Sequence, residues 1–291
     1  MQMTSEVVSQ QAVNERTKAR RAVSTAHPSF RWIRVVALAV VLACYAFFVP
    51  VILPVDLSHV DYVTGAVPPS LEHLFGTDLA GRDLFLRAAH GLRITLLLAL
   101  AGAFGALALG TLVGASFAFI GGRFDRIGMR VVDALNAVPH LLLGIVLAAF
   151  LRGSFLVVAI VVALTHWMQT TRLVRAELLA FLGTDQNRAA VSLGLTRWQI
   201  LRFHAGPQLF SQLAIAFVLL VPHAVWHEST LTFLGLGLAP HEPSLGTLIE
   251  LGQQALVSGA WWTLVVPIGL LGLVTLIVAE LLGTKGRHRH V

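Results

Sequence analysis

The sequence is short of charge, and that shortage decides its class. Asp, Glu, Lys and Arg make up 12% of the 291 residues, 56% are hydrophobic, and the mean hydropathy is +0.77. A soluble domain carries about 25% charged residues. A water-soluble core of this size cannot hide so many apolar side chains, so lipid must solvate part of them. Cysteine is nearly absent: the single Cys44 excludes an internal disulfide and a cysteine-based metal cluster. No G-x-x-x-x-G-K-[ST] stretch occurs, so the chain lacks the loop that cradles nucleotide phosphates. Alternating apolar and polar segments of about ten residues, the mark of a membrane β-barrel, are missing as well.

What the chain does have is long uncharged runs. Six windows of at least 18 residues contain no Asp, Glu, Lys or Arg: Val35–Val55, Ile94–Gly122, Ala134–Leu151, Gly153–Thr171, Phe203–His227 and Leu251–Ala279. A spanning helix needs roughly 17–25 mostly apolar residues to cross about 30 Å of hydrocarbon. Each window holds one helix, which predicts an all-α membrane protein of six transmembrane helices. The first window starts too deep in the chain and runs too long for a cleaved signal peptide. The expected organisation is a disordered tail over 1–30, a first helix over 31–55 and an external segment over 56–93. A five-helix core follows over 94–283, and a short tail over 284–291.

The basic residues set the orientation. With the N-terminus in the cytoplasm, 17 of the 21 Lys and Arg fall in cytoplasmic segments, leaving only Arg82, Arg87, Arg93 and Arg152 elsewhere. The positive-inside rule therefore places both termini in the cytoplasm. A basic excess distributed in this way calls for no nucleic-acid partner. The glycines Gly102, Gly105, Gly110 and Gly114 are expected to let the second helix pack closely on a neighbour.

Between the fourth and fifth spans lies an intracellular segment, 184–206, that ends at Pro207. Asp185 is placed to cap a short helix from Gln186 to Leu193, Gly194 to terminate it, and Thr196 to cap a second one. A cytoplasmic loop that folds into its own helices is often functional.

This loop carries a recognisable pattern: Asp185, Arg188, Ala189-Ala190, Gly194, Ile200 and Pro207. It resembles the "EAA" loop of ABC importer permeases, whose coupling helix docks into a groove of the ATP-binding subunit. Gln186, Arg188 and Gly206 depart from that family's usual Tyr, Glu and Leu. The stretch Phe75-Gly76-Thr77-Asp78-Leu79-Ala80-Gly81-Arg82-Asp83 is similar to the "LGTDxxGRD" signature of dipeptide, oligopeptide and nickel permeases. Glu228 to Gly237, followed by Pro243-Ser244-Leu245-Gly246, resembles their "EaxLSFLGLG…PSWG" block. The resemblance covers most of residues 70–283 and implies the C-type permease of that group, with a MetI-like bundle and a cytoplasmic coupling helix.

It further implies that the chain is no enzyme and binds no cofactor of its own. ATP and Mg would sit on two partner ATPase subunits. A second, different permease would complete the pore, an extracytoplasmic binding protein would deliver peptide, nickel or a metal chelate, and the bacterial inner membrane would hold the assembly. The motif Gly76, Thr77, Asp78, Gly81, Arg82 and Asp83 would contact the binding protein or brace the outer side of the pore.

The intramembrane polar residues form the remaining candidates. His223 and His227 are i and i+4 and share a helix face. With Glu228 they offer a donor set for a borderline divalent metal, and His166 and Gln169 would join them on a substrate path. The plainer reading is that these side chains hydrogen-bond within the bundle. A secondary transporter ranks below the ATP-driven reading, because no internal inverted repeat is evident. An intramembrane metalloenzyme ranks lowest: in His223-Ala-Val-Trp-His227-Glu228 the carboxylate follows the histidine pair instead of lying inside it.

Overall fold

The computed structural model describes residues 28–53, 60–61, 63, 65–150, 154–239 and 242–286. The tail expected to be disordered lies outside the described residues as far as residue 27, as do Arg152, Pro240 and the basic end at 287–291. Among the described residues every regular element is a helix, with one isolated antiparallel bridge between Thr77 and Asp83 in the non-helical stretch before Leu84.

The helices are α1 (Pro28–Ile52), α2 (Leu84–Ile120), α3 (Gly122–Ala137), α4 (His140–Phe150), α5 (Phe155–Leu182), α6 (Asp185–Ser192) and α7 (Arg197–Ile200). A π-helical turn, Leu201–Ala205, leads into α8 (Gly206–Phe233), and α9 (Leu245–Ala255) and α10 (Trp262–Gly286) follow. Five helical stretches are long and apolar enough to cross a membrane: α1, α2, α5, the continuous run Arg197–Phe233, and α10. The third window does not form a straight span. Its residues divide between α3 and α4, which meet at a bend of 87°. Pro139 lies at the break, where it has no N–H to donate and disfavours a helical residue before it. The 11 residues of α4 reach only about 16 Å at the α-helical rise. The sixth span counts only if the bent pair crosses together.

α2 begins ten residues ahead of its uncharged window. Asp83 caps it by accepting the Leu86 N–H at 3.1 Å, so Arg87 and Arg93 are helical. At 37 residues the helix is about 55 Å long, well beyond the hydrocarbon thickness. It is the central post of the fold. α5 runs against it for most of its length, and α1, α8, α9 and α10 also pack on it.

Small residues make the α2–α5 seam. A Cβ added at Gly110 would lie 2.6 Å from the Trp167 carbonyl oxygen, and one at Gly114 would lie 2.6 Å from the Thr171 oxygen. Thr171 Oγ1 uses the closeness to donate to the Gly110 carbonyl at 3.3 Å. The apolar core joins Leu98 of α2, Val162 of α5, Val225 of α8 and Leu271 of α10, all buried.

Candidate functional site

The expected coupling segment does fold into its own helices. Thr184, not Asp185, is the N-cap of α6: its hydroxyl accepts the Asn187 N–H at 3.2 Å. Asp185 instead occupies the first turn, where a carboxylate favours the helix dipole. At the other end the Leu195 N–H donates to the Ala190 carbonyl at 3.1 Å and the Gly194 N–H to Val191 at 2.9 Å. That pair of bonds closes a Schellman turn, and Gly194 supplies the left-handed residue it requires, at φ +79°. Thr196 caps α7 in a capping box with Gln199.

Pro207 does not end the segment. It sits in the first turn of α8, downstream of the π turn, where the Gly206 N–H reaches back to the Leu201 carbonyl. A Cβ at Gly206 would lie 2.5 Å from that Leu201 oxygen. The π turn thus explains the glycine that replaces the more usual leucine.

The two alanines of α6 differ in burial, Ala189 being exposed and Ala190 buried. Ala190 is buried, as is Ile200, and both pack with Val174, Leu178 and Phe181 of α5 and with Leu209 of α8. They clamp the segment to the bundle. Ala189, Asp185 and Arg188 are exposed, the last two as an ion pair at the surface. Beside them stand Val191, Leu193 and Trp198, all exposed, with Leu193 at 80%. Arg197 is committed to the end of α2, where its Nη1 donates to the Phe119 carbonyl at 2.8 Å.

The motif before α2 forms a compact knot. Asp78 Oδ1 accepts the Ala80 and Arg82 N–H groups at 2.9 and 3.0 Å. Its Oδ2 accepts Arg82 Nε at 2.8 Å and Arg87 Nη1 at 2.6 Å. Thr77 Oγ1 donates to the Gly65 carbonyl and accepts the Val67 N–H, both at 2.7 Å. Trp262 Nε1 of α10 donates to the Thr77 carbonyl at 3.0 Å. Asp83 adds a 2.8 Å contact with His73 Nδ1. Gly81 (φ +71°) and Gly76 (φ +76°) make the turns, and a Cβ at Gly81 would lie 2.1 Å from the Asp61 carbonyl oxygen. Most of the motif's polar capacity is spent holding the preceding segment onto α2 and α10.

In the membrane-spanning part, four imidazoles converge. His140 opens α4, His166 lies on α5, and His223 and His227 lie one turn apart on α8. The six ring-to-ring centroid distances run from 4.7 to 5.9 Å. One ring nitrogen each of His140, His223 and His227 falls within 4.8 Å of the others. Gln169 lines a cavity of about 340 Å³ together with His140, His166 and His223. A second cavity of about 330 Å³ adjoins the cluster on the side of Pro139, Trp226 and His227.

Glu228 does not belong to this group. It is fully buried, and it accepts Thr95 Oγ1 and Thr232 Oγ1 at 3.0 Å and Ser229 Oγ at 3.2 Å. Thr95 Oγ1 also accepts the Leu245 N–H at 3.0 Å, which ties the start of α9 into the same network. For this residue the plainer expectation of hydrogen bonding within the bundle is what the geometry shows. A hydrolytic reading of the histidine pair loses its nearest candidate base.

The sequence reading also missed His140. It is the only ionisable side chain between Asp133 and Arg152, and its position directly after Pro139, where a helix must restart, was the available signal.

Residues 106–288 match the family described as "Binding-protein-dependent transport system inner membrane component". The oligopeptide transport system permease protein OppC of Bacillus subtilis is 34% identical over 224 residues, 77% of this chain and 73% of the relative. OppC of Haemophilus influenzae is 32% identical over 237 residues, 80% of this chain and 76% of the relative. Among solved structures, the inward-facing MetNI methionine ABC transporter aligns with a TM-score of 0.55 at 21% identity. The alignment covers 70% of this chain and 95% of the solved one, and the likeness is one of fold.

Proposed function

The chain belongs to the family of inner-membrane components of binding-protein-dependent transport systems, and we propose from that premise that it forms half of the pore of an ATP-driven peptide importer. It is a multi-pass protein of the bacterial inner membrane and a pore component without catalysis of its own. Peptide is the substrate class that the oligopeptide relatives favour; the nickel alternative draws no support from them. On this reading both termini and α6 are cytoplasmic, and the Asp78–Asp83 knot lies on the outer side. A second permease completes the pore, two ATPase subunits hold ATP and Mg, and a binding protein delivers the peptide.

The observation that carries the coupling role is the surface of α6 and α7. A charged pair, Asp185 and Arg188, stands beside exposed Val191, Leu193 and Trp198, on helices whose other face is clamped to the bundle by Ala190 and Ile200. Apolar side chains on a charged surface ahead of the Arg197–Phe233 run and in its first turn mark a docking face, and the ion pair sets its register. Closure of the ATPase pair displaces this face. The bundle then shifts between inward- and outward-facing states through contacts that differ between them. His166, Gln169, His223 and His227 lie on or beside the cavity that this movement opens and closes, whereas Glu228 serves as a packing hub. The knot around Asp78 braces the outer end of the pore.

The test is reconstitution of the complete importer with its binding protein and a mixed peptide pool. Trp198→Ala and Leu193→Asp are expected to assemble a normal bundle yet lose most peptide-stimulated ATP hydrolysis and uptake. Undiminished uptake in both variants would remove α6 and α7 from the coupling path.

A further inference from the structure

The four histidines have no role in the packing account, and their chemistry is coherent. We infer that His140, His223 and His227 form a binding site for one borderline divalent transition ion, with His166 as the adjoining fourth imidazole. Among the described residues, no hydrogen bond occupies the ring nitrogens of His140, His223 or His227. Their three convergent ligand atoms come from two separate helices. Zinc binds imidazole nitrogen at about 2.0–2.1 Å, which sets tetrahedral nitrogens roughly 3.4 Å apart. Drawing in from a separation of up to 4.8 Å takes small side-chain rotations.

His166 supplies an independent pointer. Its Nδ1 lies 2.8 Å from the Val162 carbonyl oxygen. A carbonyl only accepts, so Nδ1 carries the hydrogen and Nε2 keeps its lone pair. That Nε2 is buried and has no partner, in a side chain that is 2% exposed. A neutral imidazole anchored through one nitrogen to a carbonyl, with the other left bare, is the usual state of a metal-bound histidine. Thr165 Oγ1, 2.8 Å from the same Nδ1, donates to the backbone of its own helix and reinforces the orientation.

The donor set selects the ion. Three imidazole nitrogens with no carboxylate suit zinc, cobalt, nickel or copper and disfavour calcium and magnesium, which require oxygen. Glu228, the nearest acid in sequence, is held in its own hydroxyl network. Cavities on two sides of the cluster give the ion a way in. This inference concerns ion binding by the chain itself and stands or falls separately from the peptide reading.

The experiment uses the full chain, purified in detergent with a histidine-free tag and carrying His288→Gln and His290→Gln to silence the tail. After chelation it is titrated with Co²⁺, and the visible d–d bands are followed before and after competition with Zn²⁺. Saturation at one ion per chain is expected, with affinity lowered about tenfold or more in His140→Gln, His223→Gln and His227→Gln. A missing saturable spectrum, or affinity unchanged in a monodisperse His140→Gln/His223→Gln double variant, overturns the site. X-ray absorption on the Zn²⁺-loaded chain needs no further substitution: imidazole scattering supports the site, and an oxygen-only shell refutes it.

Discussion

Asp78 gives the sharpest test of the fold's energetics. Its carboxylate accepts four hydrogen bonds, one of them from Arg87, whose side chain is 3% exposed. Asp78→Ala strands that guanidinium in the bundle, with its Nε already unpartnered. Removing one member of a buried pair costs about 3–5 kcal/mol. That is roughly two to nearly four decades in the folded-to-unfolded ratio, at about 1.4 kcal/mol per decade. The loss of two backbone N–H partners falls in the turn just ahead of α2, so the segment should also become sensitive to protease. The measurement is a double-mutant cycle with Arg87→Met, followed by pulse proteolysis in detergent. If the stranded charge dominates, Asp78→Ala/Arg87→Met recovers much of the loss, because no buried cation remains. A double variant as unstable as the sum of the single ones would refute the reasoning and assign the damage to the turn alone.

Gly110→Leu should disrupt the α2–α5 seam. Its Cβ would meet the Trp167 carbonyl at 2.6 Å, and a loss of at least about 1–3 kcal/mol should appear as a lower temperature of half-aggregation. Gly194→Ala places a Cβ at φ +79° and should cost about 1–2 kcal/mol. It should loosen α6 alone, detected as faster amide hydrogen exchange confined to residues 185–195. Ala190→Arg drives a charge into the cluster around Phe181 and is expected to lower the stability of the isolated chain. Normal stability with lost ATPase coupling would instead put Ala190 on the docking face. Glu228→Ala leaves the Thr95 and Thr232 hydroxyls without their acceptor, at about 1–3 kcal/mol for each buried group. Glu228→Gln keeps one acceptor oxygen and should unfold later than Glu228→Ala in the same melt.

The sequence showed best what depends on local chemistry or on bulk solvation. Four of the uncharged windows became uninterrupted spans, because a long apolar run in lipid has few ways to satisfy its backbone other than a helix. The glycines of α2 predicted a close seam and made one. Local competition was harder to read: Thr184 and Asp185 are both good caps, and only the path of the chain leaving α5 decides that Thr184 is the extended residue. The bend at Pro139 was hidden inside a window judged on charge alone. Least legible were the partners of polar side chains across the bundle. His227 and Glu228 are adjacent in sequence and were grouped for that reason. On α8, however, successive residues project about 100° apart. Glu228 therefore meets Thr95 of α2 while His227 meets His140 of α4. Contacts between residues 133 positions apart leave no periodicity to find.

The run Arg197–Phe233 joins the two candidate sites. It is continuous through the π turn, and residues 197 and 227 lie about 45 Å apart along such a helix. At one end Ile200 and Leu209 are packed with Ala190 of α6. At the other, His223 and His227 face the imidazole cluster and Glu228 is bonded to α2. On the proposed coupling, a displacement applied to α6 would reach the middle of the bundle along this run. The Glu228 network is the natural fulcrum, since it ties α8 to α2 and, through Thr95, to the start of α9. Bending along the lever would then concentrate at two features: the π turn, with its extra residue per turn, and Pro222, which lacks the N–H for an interior hydrogen bond. Pro222 directly precedes His223. Flexure there would change the spacing of His223 from His140 and His166, which sit on α4 and α5. On the proposed coupling, the joint that a docked partner would move would also reset the geometry of the cluster.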